Sequence, residues 1–283
     1  RGEVHINKRN ADLIIDSTLA GLASTLPAPF AKTAAENLPF HFEKRLLPTA
    51  PVRRGQRPSR DDGVVRDQLS ASLGQSLSLQ LIRRKQSDGF VVERGGIGIG
   101  RTQTLPESGV ALGVTLPQVD LDVWRAALRG GGKSTGAASG PSLVPDTINI
   151  RTPDLVFSGR RLRDVDLSAQ VAGELWRLHV NARQISGDLQ WNGSGRGKLT
   201  ARLKQFVIDS TTDDEPETAA DDPMRELPGL DVIAEDFQLG TRRFGRLELL
   251  ASNEGGVWKL GRIQMSNPHA VFTGSGQWVT AGG

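Results

Sequence analysis

The residues best able to do chemistry in this sequence are glycine-flanked, acidic or histidine, and each set can be held against the geometry its chemistry requires. Gly132-Lys133-Ser134 has the ending of a phosphate-binding loop, in which a lysine and a hydroxyl reach the phosphates of a nucleotide. The same pattern needs a glycine at position 127, which is Ala127, and a helix directly afterwards, where more Gly, Ser and Ala follow. Gly132 to Gly136 also spells G-x-S-x-G, without the strand before and helix after that would strain a nucleophile elbow. Gly96, Gly98 and Gly100 approach a dinucleotide fingerprint, but Arg101 stands where its last glycine belongs. Glycines at alternate strand positions indicate instead a bulge or a flat, close-packed surface. His5, His41, His179 and His269 are scattered without ligand spacing and read as surface or strand residues. Asp120 and Asp122 could share a face, and their expected role is to cap a helix carrying Trp124. Asp164 and Asp166 flank Val165 on the solvated side of a strand, and Asn192-Gly193-Ser194 is a glycosylation sequon by spelling that also suits a hairpin turn. The absence of cysteine excludes disulfides, thiolate metal sites and thiol catalysis. No catalytic constellation assembles, so the expectation is a protein that is not an enzyme and uses no cofactor and no metal.

The other chemistry available is apolar contact, and the elements that would present it repeat. Shifting Leu230–Trp278 back by 82 positions lays Asp236, Arg242, Arg243, Leu249, Ala251, Gly255, Trp258 and Leu260 on Asp154, Arg160, Arg161, Leu167, Ala169, Gly173, Trp176 and Leu178, eight identities in 25 positions without a gap. Self-similarity at a fixed offset means one structural unit used at least twice. Apolar residues alternate inside each copy, as in Val165, Leu167, Ala169 and in Leu247, Leu249, Ala251. Period two means strands with one apolar face. The same pattern runs through residues 69–117, most cleanly at Val110, Leu112, Val114 and Leu116, with turns at Lys85–Gly89 and Pro106–Gly109. Residues 4–16 read as two short strands around a turn at Lys8–Ala11. Leu19, Leu22 and Leu26 have helical spacing up to Pro27, Ala31–Asn37 is a second helical candidate, and a third short helix is expected over 122–129.

The fold class implied is all-β: an elongated, curled antiparallel sheet built from repeated units, with one or two short helices. Its organisation reads as an N-terminal β segment over 1–129, a flexible linker over 130–142 and a C-terminal β-repeat segment over 143–283, with copies near 146–191 and 228–278. Residues 44–60 form a basic, proline-containing loop, and 210–226 an acidic stretch too poor in apolar groups to join a core. Such a sheet must cover its apolar face with a helix, a second sheet or an apolar ligand. The expected helices are too few to do so, which leaves a sandwich or an open trough, and periodicity does not separate the two. A net charge of +3 with 5% aromatic residues argues against nucleic acid as a partner. The sequence begins at Arg1 and ends on Gly-Gly, and is read as a piece of a longer protein.

Three segments carry a family resemblance. GLASTLPAPFAK (Gly21–Lys32) resembles the Gly-Leu-Ala…Leu-Pro-x-Pro-aliphatic…Lys segment of the YhdP family, large AsmA-like envelope proteins of Gram-negative bacteria. LPESGVALGVTLPQVDLDVW (Leu105–Trp124) is similar to that family's Leu-Pro…Gly…Leu-Asp-x-Asp-x-Trp segment. Leu227–Trp278 is similar to its Leu-Pro-x-Leu-Asp…Phe…Leu-Gly-x-Leu…Trp…Gly-x-Trp block, with Phe244 in place of the usual leucine before the glycine. The order is the family's, and the three span most of the chain. The resemblance implies a periplasmic segment anchored to the inner membrane through residues outside this sequence. It implies glycerophospholipids as cargo, carried between inner and outer membranes along an apolar groove, with possible envelope-protein partners. The groove floor is expected from Val110, Leu112, Val114, Leu116, Val165, Leu167, Leu247 and Leu249. The alternative from a different class is a non-catalytic envelope scaffold acting through the basic 44–60 and acidic 210–226 loops.

Overall fold

The computed structural model describes residues 2–7, 10–48, 64–87, 89–130, 143–209, 227–254 and 257–279. Seventeen strands and one helix run through them: β1 (Gly2–Asn7), β2 (Asn10–Ser17), β3 (Phe40–Leu46), β4 (Arg66–Leu73), β5 (Leu77–Gln86), β6 (Gly89–Ile99), β7 (Gly109–Thr115), β8 (Val119–Asp120), α1 (Leu121–Gly130), β9 (Thr147–Phe157), β10 (Arg160–Ala172), β11 (Leu175–Asn181), β12 (Ile185–Asn192), β13 (Lys198–Ile208), β14 (Gly229–Leu239), β15 (Arg242–Glu254), β16 (Val257–Asn267) and β17 (Ala270–Val279). The chain divides into two compact units. Unit 1 is Arg1–Leu116 with Val123–Ile148, and unit 2 is Pro117–Asp122 with Asn149–Gly283. The expected linker, the acidic stretch 210–226 and most of the basic 44–60 segment lie outside the described residues.

The all-β class read from the alternation is the fold observed, a sheet that does not close. The internal repeat is visible in its elements. Adding 82 to the bounds of β9 gives those of β14, and adding 82 to the bounds of β10 gives those of β15. In unit 1, β1 to β6 form an antiparallel meander, from Gly2↔Ile15 through to Gln86↔Gly89. In unit 2, β9 pairs with β10, β10 to β13 are antiparallel in sequence, and so are β14 to β17. Three joins are parallel: β6 with β7, β8 with β9 and β13 with β14. Period two says nothing about strand direction, so the alternation indicated none of them.

The parallel join of β6 to β7 explains the glycines that resembled a nucleotide motif. To enter β7 in the same direction as β6, the chain must cross back over the sheet. Residues 101–104 make part of that return, lying against the polar side of the two strands. A Cβ on Gly98 would sit 2.1 Å from the Arg101 carbonyl oxygen, one on Gly96 3.0 Å from that of Thr104, and one on Gly113 2.2 Å from Gln103 Oε1. The glycines clear a flat track for backbone. The turn expected at Pro106–Gly109 belongs to this crossover and does not reverse the chain.

Residues 18–37 are not helical, contrary to the leucine spacing. Their backbone groups pair across a loop, with Ser24 N–H donating to the Lys32 carbonyl at 2.8 Å and Lys32 N–H to the Ser24 carbonyl at 3.0 Å. Lys32 is buried, its ammonium donating to the carbonyls of Leu22 and Thr33. Leu22 and Leu26 stay exposed at 61% and 46%, so the spacing marks no buried stripe. Pro27 and Pro29 remove two N–H donors from a segment too short to nucleate a helix on either side. Phe30 instead meets Trp124 of α1 edge to face, with centroids 5.7 Å apart.

Helix α1 is where it was expected, but its cap is Asp120. The Asp120 carboxylate accepts the N–H of Asp122 at 3.0 Å, as an N-cap does. Asp122, the other residue expected to cap, holds the β9–β10 turn instead, accepting Ser158 N–H at 2.9 Å and Gly159 N–H at 2.8 Å. Both turn residues have positive φ, 50° and 70°, as a two-residue hairpin loop requires.

Candidate functional site

Cross-strand register shows which side chains share a face. In unit 1, Ile15, Phe42, Ala71, Leu79, Ile97 and Leu112 are successive partners across β2 to β7. Val110 and Val114 stand on either side of Leu112, opposite Gly95 and Ile99. In unit 2, one row runs Leu167, Val180, Gly187, Leu203, Ala234, Leu247, Met265, Phe272 across eight strands. The next runs Ala169, Leu178, Leu189, Ala201, Val232, Leu249, Ile263, Gly274. Leu167 and Leu247, five strands apart in the order, therefore belong to one row, and Leu249 to its neighbour.

The depth of these residues divides them. Val110, Val114, Val165 and Leu247 are buried, whereas Leu112, Leu167 and Leu249 are half-buried. Leu116 lies beyond the end of β7, outside the ladder, with its side chain beside Gly100. Ala201, Leu203, Ala234, Phe237 and Leu247 form a cluster joined by Leu189, Phe206, Val232, Ile263 and Met265, all drawn from adjacent strands of the same face. Among the described residues, the element pairs in close backbone contact are neighbours in the ladder. Half-buried leucine, isoleucine and methionine on one face each leave on the order of 1 kcal/mol of burial unrealised, and the sum over a row is several times that.

The opposite face of unit 2 is polar. Arg151 pairs with Asp166, Arg183 with Asp164, His179 with Asp188, Arg202 with Asp231, and Glu248 with both Arg246 and Arg262. The hydrogen bond from Arg202 holds the Asp231 carboxyl below the usual carboxylate range. Arg243 does the same to Asp236, whose hydrogen-bonded carboxylate in turn pushes the Arg243 guanidinium up. Exposed pairs of this kind contribute little to stability but keep the outer face wet. Among the described residues no group of His, Asp or Glu has the arrangement to hold a metal ion, and no helix is long and apolar enough to cross a membrane.

With this geometry in hand, a comparison with protein families matches the one described as YhdP protein over residues 1–283. The chain belongs to the YhdP family. No curated protein and no solved structure matches it. The YhdP family is not a known enzyme family. Among the described residues, Asp120 caps a helix, Asp122 holds a turn, and the arginine–carboxylate sets of unit 2 are surface pairs. Beyond Val165, Leu167, Leu247 and Leu249, the face of unit 2 includes Leu178, Leu189, Phe206, Phe237, Ile263 and Met265, which the sequence reading did not single out. Alternation in β11 to β13 was the available signal, and a bulge between Ser186 and Gly187 breaks its phase before Phe206.

Proposed function

We propose that this chain is a segment of a periplasmic, bridge-like protein that carries phospholipids between the inner and outer membranes along its apolar β face. The observation that carries the reading is a sheet that does not close, whose apolar rows mix buried with half-buried side chains over successive strands, in a chain of the YhdP family. Acyl chains lie against the apolar rows, while headgroups remain in water beside the polar rim. Membership of the family supports an envelope location and an inner-membrane anchor contributed by residues outside this sequence. Leu112 in unit 1 and Leu167 in unit 2 are the positions to test, being half-buried members of their rows.

The experiment is native mass spectrometry with lipid extraction of the chain purified from cells under mild conditions. Co-purifying phospholipid that is lost in Leu112→Asp and Leu167→Asp, with circular dichroism unchanged, is the expected result. A folded, monodisperse, lipid-free chain would sink the proposal and favour a scaffold that works through its loops.

A further inference from the structure

At one end of unit 2 the apolar face stops at arginines. The β9–β10 and β14–β15 turns are each followed at once by a pair, Arg160-Arg161 and Arg242-Arg243, at identical positions of the repeat. In both copies the second arginine is engaged: Arg161 Nη1 lies 3.2 Å from Asp154 Oδ2, and Arg243 forks onto Asp236 at 2.7 and 2.5 Å. In both copies the first is not. Neither Arg160 nor Arg242 has a carboxylate or hydrogen-bond partner among the described residues. Alternation turns the first arginine to the side opposite the second, and register identifies that side in the second copy. Arg242 pairs with Leu239, and Leu239 with Ile208, beside the Phe206–Phe237 aromatic contact. Arg242 therefore stands on the apolar face.

The first copy surrounds the equivalent position with a cavity of about 560 Å³, where Arg160 is joined by Leu162, Ile185, Phe206 and Ile208. Arg161 and Arg163 also line it, both close to Asp154. Among the described residues, the carboxylate in the lining is Asp209, which accepts the Gln184 amide at 3.4 Å. Arg160 thus stands without a carboxylate partner among the described residues at the border of an apolar floor. A guanidinium fork matches two oxygens of a phosphate, and the same group can lie along hydrocarbon without losing its charge.

We infer that Arg160, with Arg242 as its counterpart in the second copy, binds the phosphate of a net-anionic amphiphile whose hydrocarbon lies on the Phe206 end of the apolar face. This inference rests on the lipid-carrying reading and adds a headgroup preference to it. A zwitterionic headgroup brings an ammonium towards Arg161 and Arg163 and is the weaker ligand. The site selects by charge.

The test compares the parent chain with Arg160→Glu/Arg242→Glu, with Arg160→Lys/Arg242→Lys, and with Arg177→Glu, the same substitution, with half the charge change, at an exposed position of β11. Each is purified with its lipids, which are extracted and sorted by headgroup. The glutamate pair should lower the ratio of anionic to zwitterionic phospholipid by about threefold to tenfold, the range expected for losing charge-assisted phosphate contacts at a half-open site. Total lipid should stay within about twofold, since the apolar rows are intact. The lysine pair should keep most of the ratio, and Arg177→Glu all of it. An unchanged ratio with total lipid retained overturns the inference and leaves the carrying reading standing, whereas a lipid-free parent chain overturns both. A titration at constant ionic strength separates headgroup from free anion. If inorganic phosphate shifts the Arg160 side-chain resonances as strongly as dihexanoyl phosphatidylglycerol does, the apolar half of the inference fails.

Discussion

The two units present the same kind of face and end it in opposite ways. In unit 1 the apolar rows run into Asp67, whose side chain is fully buried. Arg83 forks onto it at 2.9 and 2.6 Å, Lys44 stands 3.8 Å away, and both cations lie over the Phe90 ring. In unit 2 the rows run out to Arg160 and Arg242, which have no such carboxylate among the described residues. The floors differ as well. Unit 1 is flattened by glycine, with Leu81 filling the space a side chain on Gly95 would take. Unit 2 is aromatic, with Trp176 opposite Trp191 and a chain of contacts from Phe206 through Phe237 to Phe244. A one-sided sheet can thus terminate its apolar face by burying a neutralised charge cluster or by leaving cations at the rim. The first choice stabilises the fold, and the second leaves binding capacity.

The largest effect expected from this contrast is at Asp67. Asp67→Ala leaves Arg83 and Lys44 facing each other without their counter-charge, and should destabilise unit 1 by about 3 kcal/mol, the scale of breaking one side of a buried pair. Hydrogen exchange of the β4 and β5 amides would read it, and protection equal to the parent's would mean the cluster is incidental. Arg160→Ala, at the corresponding end of unit 2, should leave exchange there unchanged.

Glycines sharpen the comparison at a smaller scale. Gly98→Ala forces a methyl into the crossover backbone and should cost about 2 kcal/mol, in the range of overpacking a closed site. Gly276→Ala, where nothing lies within 4 Å of the added carbon, should shift stability by less than about 0.5 kcal/mol. Chemical denaturation of both variants checks this, and equal losses would show that the unit 2 face near β17 is as closed as the β6–β7 surface.

The smallest effect is acid dependence at the β14–β15 turn. Arg243 depresses the folded-state pKa of Asp236, so ionisation of this carboxyl favours the fold. Its contribution is complete above the unfolded carboxylate value near 4, and is lost as pH falls from there through the lowered folded value. Exchange at the turn amides should rise over that window in the parent chain, and Asp236→Asn should flatten the dependence. An unaltered profile would place the acid sensitivity elsewhere.

Much of the candidate face was legible because its signals are local. Val110, Leu112, Val114, Val165, Leu167, Leu247 and Leu249 alternate with polar residues, and alternation survives folding wherever a strand is regular. The helix expected over 18–37 failed for the same reason in reverse. Leucines at helical spacing describe a helix only if something packs against them, and here Leu22 and Leu26 face water. Asp120 and Asp122 could not be told apart as caps, since the choice depended on a turn 36 residues away.

The amino-acid order by itself determined the strand segments and their repetition, because side-chain period and turn residues act over a few neighbours. Bounds that recur at an offset of 82 residues in β9 and β14, and again in β10 and β15, express that directly. Tertiary structure alone decided that β6–β7, β8–β9 and β13–β14 run parallel, and which rows align across the ladder. Those depend on where distant segments come to rest. No periodicity encodes that outcome.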